Sequence, residues 1–119
     1  MNKTNALKAI NKVDEIITDI FCNGVGTDID DKLHEVITNI AEARQAVDEY
    51  YNAEAGDSVT AAIIILRKLC VAANRYISAR FTEEDKDNEN EDFIMFWLLI
   101  DLAGNAYKKL KIAENEIFN

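Results

Sequence analysis

VTAAIIILRKLCVAANRYISARF, residues 59–81, is the stretch on which the fold turns. Val59, Ala62, Ile63, Leu66, Leu69, Cys70, Ala73, Tyr76 and Ile77 return at steps of three or four, the spacing that stacks side chains on one side of an α-helix. Ile64, Ile65, Val71 and Ala72 carry the apolar surface well beyond that stripe. A helix that is apolar on most sides is normally covered on most sides. The stretch therefore predicts a helix over about 58–81 that is either central to the domain or shared with a second subunit.

The flanking segments repeat the pattern. Before it, Ala6, Leu7, Ile10, Val13, Ile17, Ile20 and Phe21 predict a helix over about 4–22, capped by Thr4 or Asn5 and stopped at Asn23-Gly24. Thr27 opens a second helix, over about 28–55, with Asp28, Asp30 and Asp31 in its first turn, where carboxylates suit the partly positive helix start. Its stripe is Ile29, Leu33, Val36, Ile37, Ile40, Ala43, Val47, Tyr50 and Tyr51, and Gly56 is the expected stop, with Asp57-Ser58 capping the helix that follows. The last helix, over about 92–118, has two apolar lines. Phe93, Phe96, Trp97, Ile100, Gly104 and Tyr107 form one; Met95, Leu99, Leu102, Ala106, Leu110, Ala113 and Ile117 form the other. Gly104 is expected to let a neighbour approach closely.

No proline and only four glycines interrupt the 119 residues, and no internal repeat or linker divides them. The expectation is a single all-α domain over residues 1–119, a four-helix, mostly antiparallel bundle with long helices. The surplus apolar faces of the third and fourth helices point to a homodimer, with Ile64, Val71, Met95, Leu99 and Leu102 at the interface.

The net charge of −9 is unevenly spread. Residues 27–57 carry −7, residues 58–81 carry +4 with no acid, and residues 82–92 carry −6, while both ends of the chain are neutral. Such a chain is repelled by phosphate backbones and by anionic membranes, and its long-range attraction is toward basic partners. Two accounts of the pattern compete. In the structural one, Arg67, Lys68, Arg75 and Arg80 pair with carboxylates on neighbouring helices and the remaining acids solubilise the surface. In the functional one, the second helix and a solvated 82–92 loop form an acidic surface that docks on a basic protein. Its contact residues would be Asp28, Asp30, Asp31, Glu35, Glu42, Asp48 and Glu49 on the helix, with Glu83, Glu84, Asp85, Asp87, Glu89 and Glu91 in the loop.

Chemical motifs are sparse. A calcium loop counted from Asp85 fails, because Asn90 stands where glycine is needed and Phe96 where the last carboxylate is needed. His34 lacks the Glu-x-x-His spacing of di-metal bundles and is expected to be a surface imidazole. Cys22 and Cys70 lie within apolar periods and are expected to be reduced core thiols. Phe93, Phe96, Trp97 and Tyr107 could line a ligand pocket, but at helical spacing core or interface is the commoner use. No catalytic residue, cofactor or metal is expected. No secretory signal opens the chain, and the longest apolar run, Phe93 to Ile100, falls far short of a membrane span, so a cytoplasmic protein is expected.

The functional expectation is a small acidic protein-binding module, an inhibitor or regulator that occludes a basic, nucleic-acid-binding surface, for example that of a nuclease. By analogy of composition alone, phage anti-CRISPR and anti-restriction proteins, immunity proteins and antitoxins work in this way. A structural subunit forming a homo-oligomer and a helical small-ligand-binding domain are the alternatives.

Overall fold

Ala55, Val59, Ala62, Leu66, Leu69 and Ala73 are at most 1% exposed, and their alternating four- and three-residue steps give one helix a continuous seam of buried side chains. The computed structural model describes residues 1–22, 27–87 and 90–118, with side chains for all but 19–22, 27–30, 76, 86, 87, 92, 95 and 96. Among the described residues the regular elements are all helices: α1 (Lys3–Cys22), α2 (Thr27–Asp48), α3 (Asn52–Arg80), α4 (Glu83–Asp87) and α5 (Glu91–Phe118). The long helices pack as α1 on α2, α2 on α3, α3 on α5 and α5 on α1, which closes a ring around one core. The molecule is accordingly a rod of 51 × 22 × 20 Å. At 1.5 Å per residue the 29 residues of α3 account for about 43 Å of that length.

Ile10, Val13 and Ile17 of α1, Leu33, Val36 and Val47 of α2, and Leu110 of α5 are fully buried, and no polar or charged residue among those described is buried. Such a core needs no internal hydrogen bonds to offset lost hydration.

The boundary between α2 and α3 differs from expectation. The sequence places it at Gly56, whereas α2 ends at Asp48 and Gly56 lies inside α3. The end is a left-handed cap on a non-glycine residue, Tyr50, with φ of 60°. The Tyr51 N–H donates to the Ala46 carbonyl (2.8 Å) and the Tyr50 N–H to that of Val47 (3.1 Å), the paired bonds that close a helix end when the next residue turns left-handed. Tyrosine in that conformation costs about 1–2 kcal/mol. Lys3 offsets part of it. Its ammonium donates to the Asp48 carbonyl (3.1 Å), pairs with the Asp48 carboxylate (3.2 Å) and lies 4.7 Å from the Tyr50 ring centroid. Tyr50 and Tyr51, expected in the apolar stripe, are therefore exposed at 64% and 56%. Gly56 has a different use, since a Cβ there would run into the ring of Phe118.

Within the expected 82–92 loop, Glu83–Asp87 form the short helix α4 and Glu91 begins α5. Thr82 and Asp85 form a reciprocal cap. The Thr82 N–H and hydroxyl donate to the Asp85 carboxylate (2.9 and 3.1 Å), and the Asp85 N–H donates to the Thr82 hydroxyl oxygen (3.1 Å). Asn90 caps α5 by accepting the Phe93 N–H at 3.2 Å.

Candidate functional site: the exposed faces of the second and third helices

Leu33, Val36, Ile40, Ala43 and Val47 point into the core at 0–2% exposure and so fix the rotation of α2. The opposite line is then forced outward: Asp31, Glu35, Thr38, Glu42, Gln45 and Glu49, at alternating steps of four and three, are all exposed. α2 carries two basic residues, Lys32 and Arg44, and neither pairs with this line among the described residues. Arg44 reaches α1, where Nη2 pairs with Asp14 (3.1 Å) and Nε donates to Asn11 Oδ1 (3.0 Å). Asp31, Glu35 and Glu42 make no ion pair or hydrogen bond among the described residues. Glu49 accepts only a long bond from Gln45 Nε2, at 3.5 Å. The result is a stripe of unneutralised carboxylates in which Glu35, Glu42 and Glu49 recur every seven residues, about 10.5 Å apart, with Asp31 one turn before them.

Other acids expected in that surface are spent on folding. Asp48 is held by Lys3, and Asp85 is consumed in the cap that starts α4. Glu83 is exposed but also has a partner, whereas Glu84 and Glu91 are exposed and unpaired among the described residues. The side chains of Asp28, Asp30 and Asp87, and the whole of Glu89, lie outside the described residues. The structure thus brings Asp31, Glu35, Glu42 and Glu49 onto one line and leaves the acids around α4 on a separate element beyond the C-terminus of α3.

Three of the four cations of α3 are not absorbed by neighbouring helices as the structural account supposed, whereas Arg80 has a partner. Arg67, Lys68 and Arg75 are exposed and make no ion pair among the described residues. Beside them stand Ile64 and Val71, 48% and 50% exposed, and the six residues Ile64, Arg67, Lys68, Val71, Ala72 and Arg75 line a shallow depression of about 440 Å³. Sequence reasoning saw the charge and the surplus apolar residues, but not that they share one solvent-facing line.

The expected dimer interface fares unevenly. Ile64 and Val71 are available, Leu99 is 2% exposed within its own core, Leu102 packs against that core, and the side chain of Met95 is outside the described residues. The rotation of α5 differs from the one that would expose Leu99. Ala103, Ala106, Leu110, Ala113 and Ile117 are buried, which turns Ile94, Trp97, Leu98 and Ile112 outward. Trp97 is 61% exposed and stacks on Phe93 (6.4 Å between centroids), which meets Phe81 edge-on at 5.7 Å. The depression beside Trp97, bounded by Ile100, Gly104 and Lys108, holds about 220 Å³, smaller than the ~300–1,000 Å³ of small-molecule pockets. Gly104 admits no neighbour, since a Cβ there would meet nothing within 4 Å.

Cys70 is half-buried, and burial pushes its thiol above the ordinary 9.0, which leaves less of the nucleophilic thiolate at neutral pH. Cys22 lies outside the described side chains. Among the described residues no cluster of His, Cys, Asp and Glu could hold a metal ion, and no helix is long and apolar enough to cross a membrane. Comparison with protein-family models, with curated proteins and with solved structures yields no match.

Proposed function

We propose that the chain is an acidic protein-binding module, a four-helix, mostly antiparallel bundle that inhibits or regulates a basic protein by covering the surface with which that protein holds nucleic acid. The observation that carries this reading is the line Asp31, Glu35, Glu42 and Glu49, exposed along α2 and just past its end, with no ion pair to it among the described residues. A rigid array of carboxylates two helical turns apart offers lysines and arginines the kind of charge they find on a phosphate backbone. The core of α2 holds that array without help from a ligand, so little ordering entropy is lost on docking. Occlusion requires no catalytic step and no cofactor.

The test is capture. Immobilised wild-type protein should retain a basic protein from host extract at low salt and release it at high salt or on adding DNA. The Glu35→Lys, Glu42→Lys double variant should lose that protein while keeping its helical circular-dichroism spectrum. Equal retention by the double variant would remove α2 from the proposal. The companion double variant Glu84→Lys, Glu91→Lys asks the same of the acids in α4 and at the start of α5.

A further inference from the structure

We infer that the cationic, apolar line of α3 is the docking site for the acidic line of α2 on a second copy of this chain. The α3 line alternates in kind: Ile64, Lys68, Val71 and Arg75 follow one another at steps of four, three and four, all exposed. The α2 line alternates in the same rhythm, with Glu35, Thr38, Glu42 and Gln45 at steps of three, four and three. Set antiparallel, Arg75 stands opposite Glu35, Val71 opposite Thr38, Lys68 opposite Glu42 and Ile64 opposite Gln45. Each cation meets a carboxylate, and each apolar side chain meets a short or uncharged one. A parallel setting with Lys68 against Glu35 brings Ile64 against Asp31, which buries a carboxylate against an alkyl group without a partner.

Two features of the chain favour this occupant. Residues 58–81 contain no acid, so Lys68 and Arg75 have no partner at helical spacing on their own element, and none is supplied by a neighbouring helix among the described residues. Pairing α3 with another α3 would cover Ile64 and Val71 but set Arg67, Lys68 and Arg75 against their own kind, an arrangement that like-charge repulsion opposes. Each copy presents one acidic and one cationic face, so the contact joins unlike faces. It also hides the carboxylates that the proposed function gives to the basic partner, so the inference rests on α2 being a docking face.

Sedimentation velocity across a wide concentration range tests it. Wild-type protein should associate at low salt and dissociate as salt rises. The variant Lys68→Glu, Arg75→Glu should associate at least about tenfold more weakly, as should Glu35→Lys, Glu42→Lys. Mixed in equal amounts, the two variants should associate again, because each restores the opposite charge for the other. All four positions are exposed, so circular dichroism should report unchanged helicity. A wild type that stays monomeric throughout, a variant that self-associates as tightly as wild type, or a mixture that stays dissociated would overturn the inference. The α3 variant keeps α2 intact. Its retention of the basic partner after self-association is lost separates this result from failure of the proposed function.

Discussion

Leu33, Val36, Ile40 and Val47 on α2, and Val59, Leu66, Leu69 and Ala73 on α3, are all at most 2% exposed, yet the outward sides of these two adjoining helices have opposite character. One offers Glu35, Thr38 and Glu42; the other offers Lys68, Val71 and Arg75. The inward residues are constrained by a shared core, where the shape of each neighbour limits what fits. The outward residues are under no such constraint, and scattered charges would serve solubility equally well. A charge bias held at seven-residue spacing on both helices is therefore more than folding requires, and it is on the outside that function is to be sought.

The largest effect should come from breaking what the two helices share. Leu66→Ala removes a fully buried side chain and should lower unfolding free energy by about 2–5 kcal/mol in urea titration. A loss under about 1 kcal/mol would mean that the core is looser than its burial indicates. Acids that fold the chain should next separate from acids that decorate it. Asp85→Ala removes the cap on α4 and should cost about 1 kcal/mol, while Glu84→Ala should stay within about 0.5 kcal/mol. Gly104→Ala should shift stability the opposite way, by about 1 kcal/mol upward, because the added methyl meets only open space.

Smaller still are the effects of charge on the isolated chain. Glu35→Lys with Glu42→Lys relieves repulsion in a protein of net charge −9 and should raise the melting temperature slightly at low salt, whereas Lys68→Glu with Arg75→Glu should lower it. Both shifts should fade as salt screens the surface, and identical shifts for the two pairs would erase the contrast between the faces. The smallest concerns Cys70. Well below 9.0 the thiol keeps its proton whether the chain is folded or not, so it contributes no pH dependence there. As pH climbs past 9.0 the unfolded chain ionises first, and stability falls until the raised native value is passed. Urea midpoints at about pH 8 and about pH 10, compared between wild type and Cys70→Ala, read this term directly.

The helical class and the seam of α3 were legible, because three- and four-residue spacing of apolar residues has few other solutions. The end of α2 was not. Val47, Tyr51 and Ala55 stand four apart and continue the stripe of α2 in phase, while the cap that interrupts it sits on a tyrosine instead of the usual glycine and is supported by Lys3, 47 residues away. The rotation of α5 was hidden for a different reason. Phe93 to Ile100 is apolar all round, and only the Ala106, Leu110, Ala113 and Ile117 line further along selects which side goes in. In the candidate site, the outward line of α2 followed from the same spacing that set its core. The loss of Asp48 and Asp85 to capping did not, since Asp48 depends on a lysine brought from α1. The Thr82-x-x-Asp85 spacing was present, but no apolar run follows it to announce a helix. Nor could the sequence say that Arg67, Lys68 and Arg75 go unpaired, which depends on where adjoining helices turn their carboxylates.

The Asn2 N–H donates to the Glu116 carbonyl at 2.9 Å, so the polypeptide enters and leaves the rod at one point. A chain threaded in this way can be spliced into a surface loop of a host protein with little distortion of either, and its two ends can be stitched together by a short peptide while new ends are opened elsewhere. Fusion of a reporter at either terminus places it at the same pole, beside Tyr50 and Phe118, and leaves the long flanks of the rod clear.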